Sequence, residues 1–227
     1  MSMKWRVGWT IVAVIAAFVG GAWFYKERAG LEDARSAAQN SDALVRPHSP
    51  VFGNPAARVT IVEFFDPSCE TCRAFYPIVK GIVTSSFGQV RLVVRYAPLH
   101  EGSDTAVKIL EAARPQGKYW EALEKALATQ PMWAAHGDPK PDLIWKVLTE
   151  VGVDVPAARA AASGAAIEQV LRQDVADMKS LKVSQTPSFF VNGTPLREFG
   201  EAQLKSLVAQ ELAKARNPAS AARQGTP

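Results

Sequence analysis

The pattern of apolar residues predicts a strand, a helix and a second strand in the first half of the chain. Residues Val59–Phe65 form an almost unbroken β-branched and aromatic run, which is typical of a strand buried on both faces. Val90–Tyr96 forms another such run. Between them, apolar side chains recur at helical spacing, so we expect two parallel strands connected by one helix. The helical set is Phe75, Ile78, Val79 and Ile82.

The remaining pattern predicts a group of helices and then a hairpin. From about residue 102 to 181 only helical spacing is present, interrupted by proline and glycine. Strand character returns at Ser188–Val191, and the Asn192-Gly193 pair behind it is a two-residue turn signal. A last amphipathic helix follows. The sequence therefore predicts an α/β domain over residues 51–216, with a helical lobe inserted at about 102–181.

The N-terminal residues 1–28 are predicted to be a membrane anchor or a signal. The stretch from 7 to 25 carries no charge and is long enough to cross a bilayer as a helix. Lys4 and Arg6 precede it, which favours an N-terminus inside the cell and a domain outside it. Cleavage near the small residues at 20–22 is the alternative, and it would release a soluble domain.

The segments flanking the domain are polar. Residues 29–50 are rich in alanine and end at a proline, so we interpret them as a linker. Residues 217–227 are small and polar, and we expect a disordered tail.

Composition and charge exclude some classes of function. The 227 residues, of which 48% are hydrophobic, can bury one good core and a small additional lobe. The net charge of +4 is mixed with acidic residues along the whole chain, which argues against nucleic-acid binding. The chain has 2 cysteines, too few for a disulfide framework or a four-cysteine zinc site.

Both cysteines lie in one Cys-x-x-Cys spacing, where a predicted strand ends and a predicted helix begins. A helix N-terminus offers unpaired N–H groups and positive dipole charge, so it favours a thiolate on Cys69. Cys72 lies one turn deeper and should be shielded. We therefore expect Cys69 to attack disulfides and Cys72 to resolve the mixed disulfide.

Two runs of residues carry a family resemblance. The run from 63 to 72 reads EFFDPSCETC, and the run from 186 to 193 reads TPSFFVNG. Together with the inserted helices, they resemble the DsbA-like branch of the thioredoxin superfamily. The resemblance implies a thioredoxin-like fold with an inserted helical lobe, preceded here by an N-terminal transmembrane helix.

The resemblance also implies roles for residues outside the cysteine pair. Pro187 would be a cis-proline facing the cysteines, and Thr186 would present its backbone to an incoming peptide. Glu63 would be a buried acid that exchanges a proton with Cys72, since desolvation raises the pKa of a buried carboxyl. The alternative is that Glu63 reaches solvent or a salt bridge.

Glu70 and Thr71, between the cysteines, depart from the family pattern. Strongly oxidising members commonly carry a histidine there. An acid beside Cys69 should raise the pKa of that thiol, which would make the disulfide harder to reduce. The resemblance implies an oxidase that donates disulfides, and the departure at Glu70 and Thr71 leaves reductase or isomerase activity open.

The resemblance implies no cofactor other than the redox-active disulfide of Cys69 and Cys72. The implied partners are exported proteins that contain cysteines, together with a membrane redox partner that reoxidises or reduces the pair. The N-terminal stretch predicts a bacterial-type inner membrane, crossed once, with the domain facing the periplasm or the cell exterior; after signal cleavage the domain would be soluble in the periplasm.

Two other functions remain open. The cysteine pair could bind Cu(I) in a copper-handling module, although the three histidines show no ligand spacing and are expected to be ordinary surface or loop residues. The pair could also form a permanent structural disulfide, although such a small loop is usually labile. The histidines are His48, His100 and His136.

Overall fold

A computed structural model of the chain describes residues 20–21 and 42–216. Five strands form one sheet in the order β1-β3-β2-β4-β5. β2 and β3 are parallel, and the other pairs are antiparallel. The predicted bounds of β2, β3 and β4 are confirmed, whereas β1 was not predicted. The strands are β1 (Val51–Gly53), β2 (Val59–Phe65), β3 (Val90–Tyr96), β4 (Ser188–Val191) and β5 (Thr194–Pro195).

Helices fill the rest of the domain, and the predicted helical insertion between β3 and β4 is present. Glycines with positive φ end two of its short helical turns, as expected where the chain must turn sharply. The helices are α1 (Glu70–Ser85), α2 (Ser103–Ala113), α3 (Tyr119–Ala128), α4 (Gln130–Trp133), α5 (Ile144–Leu148), α6 (Val155–Ala162), α7 (Ala165–Ser180) and α8 (Glu201–Arg216).

The sheet separates two hydrophobic cores. In β2, Ile61 and Phe65 pack on the side of α1, while Val62 and Phe64 pack against the opposite core. Because side chains alternate along a strand, Glu63 must point to the same side as Ile61 and Phe65. β2 therefore carries its one acid toward the helix that begins at the cysteines.

A buried ion cluster lies on the other face of the sheet. Arg95 of β3 is fully buried, and its Nη2 atom lies 2.8 Å from Asp174 and 2.6 Å from Asp177, both on α7. Taking such charges out of water is costly, so each depends on its partners. The cluster fixes α7 to the central part of the sheet.

Residues 42–50, which the sequence placed in the linker, pack against this cluster. Arg46 forms two hydrogen bonds to Asp177, of 2.8 and 2.7 Å. The Nε2 atom of His48 lies 2.6 Å from Asp174. The folded unit therefore begins before β1.

The predicted membrane segment at residues 7–25 lies outside the described residues, apart from Gly20 and Gly21, and so does the predicted tail at 217–227. In the part of the chain that the structure describes, no helix combines the length and apolar character needed to cross a membrane.

Candidate active site

The two cysteines lie at the N-terminus of α1, shortly after the end of β2. Cys69 is the N-cap residue with extended backbone angles, and Cys72 lies in the first turn. The structure contains both as free thiols. Cys69 is 5% exposed and Cys72 is 0% exposed, so Cys69 is the more accessible of the two.

The environment of Cys69 favours its thiolate. A hydrogen bond from the Cys72 thiol lowers the pKa of Cys69 most, and the backbone N–H groups of Cys72 and Thr71 and a contact with Thr186 add to it. Burial acts in the opposite direction, and the net pKa is about 5. Since the ordinary thiol pKa is 9.0, Cys69 is ionised at neutral pH.

Glu70 therefore does not have the effect expected from the sequence. The prediction that this acid would leave Cys69 with a raised pKa is wrong in its net result. The Glu70 side chain is 63% exposed, and its Oε1 atom lies 3.3 Å from Nε2 of His136. Water and this pairing screen its charge, while the hydrogen bonds to the Cys69 sulfur act at short range.

Cys72 has the opposite environment. Burial and the hydrogen bond to Cys69 raise the pKa of Cys72 far above the ordinary range. Its sulfur accepts a hydrogen bond of 3.5 Å from the backbone N–H of Asp66. Cys72 is thus held as a thiol and needs a nearby base before it can attack.

Glu63 is a candidate for that base, because its charge acts on Cys72. It is 1% exposed, and neither carboxylate oxygen has a hydrogen-bond partner within the described part of the chain. Desolvation, followed by the charge of Cys69, raises the pKa of Glu63 to about 8. The alternative in which Glu63 reaches solvent or a salt bridge is wrong.

The loop before β4 completes the site. The peptide bond between Thr186 and Pro187 is cis, and the sulfur of Cys69 lies 3.4 Å from the carbonyl oxygen of Thr186. The structure thus brings the predicted site residues together around one sulfur: Cys69, Cys72, Glu63, Thr186 and Pro187, with Glu70 and Thr71 at the rim.

Asp66 is a site residue that sequence reasoning missed. It is fully buried, and its Oδ2 atom accepts hydrogen bonds from the backbone N–H groups of Leu99 (2.7 Å) and His100 (3.0 Å) and from Nδ1 of His100 (2.8 Å). Its Oδ1 atom accepts from the N–H of Ser68 and the hydroxyl of Ser103, at 2.9 and 2.5 Å. Asp66 therefore ties the cysteine loop to the loop that follows β3.

His100 was also missed, and topology could have found it. It follows β3 just as the cysteines follow β2, and the carboxyl ends of adjacent parallel strands meet at one edge of a sheet. The histidines were predicted to be ordinary surface or loop residues, and His100 and His136 do lie in loops, at 38% and 76% exposure, but both contact acids of the cysteine loop.

Gln130 supports the same loop from the helical insertion. Its amide group donates to the carbonyl oxygens of Pro67 (2.7 Å) and Cys69 (3.1 Å). Gln130 is 1% exposed, so these bonds are shielded from water. A single glutamine gives no periodic signal in a sequence, and only the fold reveals this contact.

A metal site is not preformed in the part of the chain that is described. No group of three or more histidine, cysteine and acidic side chains comes together there in a way that could hold a metal ion. The copper-binding alternative stays a prediction from the cysteine pair.

Proteins of known name resemble this chain over most of the described domain. The family model for thioredoxin matches residues 46–210. The Na⁺/H⁺ antiporter NhaA 1 of Salinispora arenicola is 33% identical over 164 residues, which cover 70% of this chain and 24% of that protein. The chain thus spans about a quarter of the length of the curated relatives it matches.

Solved structures match a larger share of their own length. A thioredoxin-like oxidoreductase from Silicibacter pomeroyi is 32% identical with a TM-score of 0.65, covering 78% of this chain and 97% of that one. The thiol-disulfide exchange protein α-DsbA2 from Wolbachia pipientis shares the fold at 22% identity, with a TM-score of 0.67 and coverage of 81% and 97%. With its cysteine pair at the start of α1 and helices inserted between β3 and β4, the chain belongs to the thioredoxin superfamily.

Proposed function

We propose that this protein is an oxidase that donates the disulfide of Cys69 and Cys72 to pairs of thiols in exported proteins. The observation that carries the proposal is the difference between the two sulfurs. Cys69 keeps 5% of its surface exposed and has a pKa of about 5, while Cys72 is fully buried with its pKa raised. A stabilised Cys69 thiolate favours the reduced form of the pair, and this makes the disulfide a strong oxidant.

The reaction is two thiol-disulfide exchanges. A substrate thiolate attacks the sulfur of Cys69, so the Cys69–Cys72 bond breaks and Cys72 leaves as a thiolate that must take up a proton. A second substrate thiolate then attacks the substrate sulfur of the mixed disulfide, and Cys69 leaves as a thiolate. The substrate loses two electrons and gains a disulfide, and the cysteine pair becomes a dithiol.

Glu63 supplies the proton that Cys72 takes up in this reaction. With a pKa of about 8, it holds a proton at neutral pH and can give it to the departing thiolate of Cys72. In the reverse direction its carboxylate can remove the proton again when the pair is reoxidised. Its burial on the α1 side of the sheet keeps bulk water away from this transfer.

Thr186 and Pro187 form the substrate platform. Thr186 lies against the sulfur of Cys69, so a peptide whose own sulfur approaches Cys69 passes beside this backbone. Its N–H and C=O groups would pair with the peptide as an added strand. The side chains of the substrate then contribute little to recognition, which suits an enzyme with many protein substrates.

The cellular setting belongs to the same proposal. The uncharged stretch at residues 7–25 supports a single-pass anchor in a bacterial-type inner membrane, with the domain in the periplasm. Cleavage of that stretch would give a soluble periplasmic enzyme instead. An oxidase also needs an acceptor for the two electrons of each turnover, and a membrane redox partner would supply it.

The experiment is a reduction potential, measured by equilibrating the full chain with glutathione buffers and trapping the thiols by alkylation. A value near about −120 mV supports a disulfide donor, and a value near about −270 mV supports a reductase. The Cys72→Ser variant should accumulate mixed disulfides with substrate proteins that already contain a disulfide, because the Cys69 thiolate attacks that bond, a substrate thiolate leaves, and no second cysteine resolves the product. Cys69→Ser should form none. A pair that fails to exchange with glutathione would refute the oxidoreductase proposal.

A further inference from the structure

Two acids lie on either side of Cys69 in the chain, and each acid is paired with a histidine. Asp66 precedes Cys69 and contacts His100 at 2.8 Å. Glu70 follows Cys69 and contacts His136 at 3.3 Å. Negative charge beside a thiolate opposes its formation, so the charge on these histidines bears directly on Cys69.

The His100 pair is the better built of the two. His100 donates to the same oxygen of Asp66 through its backbone N–H and through Nδ1, at 3.0 and 2.8 Å. Asp66 is 0% exposed and is itself fixed by bonds to three other residues, so the imidazole ring has a defined position. A carboxylate can only accept, so the proton of this contact lies on Nδ1.

Acidic groups surround His100. Asp66 and Glu70 face it from the cysteine loop and α1, and Cys69 adds a negative charge when it is a thiolate. Glu101 and Asp104 follow in its own loop and in α2. Burial alone would lower the pKa of His100, but the hydrogen bond and charge of Asp66, with the charges of Cys69 and Glu70, raise it above 6.5.

The interaction between His100 and Cys69 is mutual. If the Cys69 thiolate stabilises the protonated imidazole, the protonated imidazole must stabilise the thiolate by the same free energy. The two charges also titrate in a useful order. Cys69 loses its proton near pH 5, where His100 is still cationic.

The other two histidines do not share this position. His136 is 76% exposed and meets an exposed carboxylate, and such pairs contribute little. His48 lies against Asp174 on the opposite face of the sheet. The chain therefore contains one histidine anchored at the site, one at its rim and one remote from it.

We propose that His100, seated on Asp66, is a positioning residue that stabilises the thiolate of Cys69 and makes the oxidising strength of the pair depend on pH. It cancels the buried charge of Asp66 at the point where the cysteine loop leaves β2. From the loop after β3, His100 thus stabilises the Cys69 thiolate as a cationic residue between the two cysteines would. The inference deepens the proposed oxidase function and rests on Cys69 as the nucleophile.

The test compares two substitutions at the same position. His100→Asn keeps a donor toward Asp66 but cannot carry charge, and His100→Lys carries charge at every relevant pH. Cys69 is titrated in the reduced full chain by the ultraviolet absorbance of its thiolate, and the reduction potential is measured across the neutral pH range. His136→Asn and His48→Asn are the controls, and thermal unfolding verifies that each variant folds.

We expect His100→Asn to raise the pKa of Cys69 by about half a pH unit to one unit, and so to slow alkylation at about pH 4 by about three- to tenfold. His100→Lys should leave that pKa near the wild-type value. The wild-type plot of potential against pH should bend where His100 loses its proton, and neither His100 variant should show that bend. The His136 variant should change little and the His48 variant not at all.

Two results would overturn the inference: an unchanged Cys69 pKa in His100→Asn, or equal shifts in the asparagine and lysine variants, which would mean that the ring acts only by its shape. The proposed function is judged separately, by exchange of the wild-type pair with glutathione. Titration of Cys69 needs no such exchange, so either proposal can fail while the other stands.

Discussion

Replacing Glu63 with glutamine should stabilise the protein at neutral pH and leave it unchanged in acid. The pKa of Glu63 is raised in the fold from 4.5 to about 8, because desolvation and the charge of Cys69 oppose ionisation. An acid with a raised folded-state pKa weakens the fold as pH rises from the unfolded-state value toward the folded-state value. pH 7 lies about 2.5 pH units above 4.5, and each unit is worth about 1.4 kcal/mol. Glu63→Gln should therefore gain about 3 kcal/mol at pH 7 and almost nothing at about pH 4.

The redox state provides an internal check on this value. Part of the raised pKa comes from Cys69, and that charge disappears when the cysteines form a disulfide. The gain in the oxidised protein should therefore be smaller than the gain in the reduced protein. The same variant should exchange disulfides more slowly, since glutamine cannot give a proton to Cys72 or take one from it.

Urea unfolding at the two pH values, in both redox states, measures the free energy of unfolding directly. Glu124→Gln is the matched control, because its carboxylate is 42% exposed and bonded to Lys80 and Tyr76, so its removal should give no gain that grows with pH. An equal gain for Glu63→Gln at both pH values would refute the reasoning. It would show that Glu63 is ionised in the fold.

Three further substitutions test contacts of the fold and the site. Gln130→Leu leaves two buried carbonyl oxygens of the cysteine loop without a donor and should cost about 1–3 kcal/mol in urea unfolding; no loss would mean that water replaces the amide. Asp177→Asn removes a charge shared by Arg95 and Arg46 and should cost about 3–5 kcal/mol at neutral pH. Burial would raise the pKa of Asp177, but its bonds to both arginines lower it below 3.8, so the gap from wild type should close only as pH falls below that value. Phe87→Asn should gain about 0.5–1 kcal/mol, because φ is +51° at this 94% exposed residue and asparagine tolerates that region; a loss would reveal a contact of the ring.

Periodic features of the fold could be predicted from the sequence, and single contacts could not. Apolar runs located β2 and β3, since strands buried on both faces leave an unbroken signal. β4 was located by its short aromatic and β-branched run before the Asn192-Gly193 turn. β1 has three residues, Val51–Gly53, too few to form a pattern. The ion cluster joins Arg95 to Asp174 across 79 positions, and charge pairing at that distance has no period in the chain.

The candidate site divides in the same way. Cys69 and Cys72 could be assigned roles because the helix N-terminus that distinguishes them is visible in the sequence. The effect of Glu70 on the pKa of Cys69 could not be predicted from the sequence. It depends on whether the carboxylate points to water and on the hydrogen bonds that reach the Cys69 sulfur. Predicting His100 as a site residue would have taken two steps. The strand-helix-strand pattern implies that β2 and β3 are adjacent parallel strands. The residues at their carboxyl ends then had to be compared, because those ends meet at one edge of the sheet.

Groups on the two faces of the sheet respond differently to mild acid, so the reduced protein should lose its reactivity before it loses its fold. On one face, Cys69 of the reduced pair takes up a proton near pH 5 and is no longer a nucleophile. On the other, Asp177 keeps its charge until the pH is below 3.8. Between these values Glu63 is also close to fully protonated, so the fold no longer carries the cost of ionising it. Between these values the reduced protein should therefore stay folded while its nucleophile is protonated, and raising the pH should restore its reactivity without any refolding.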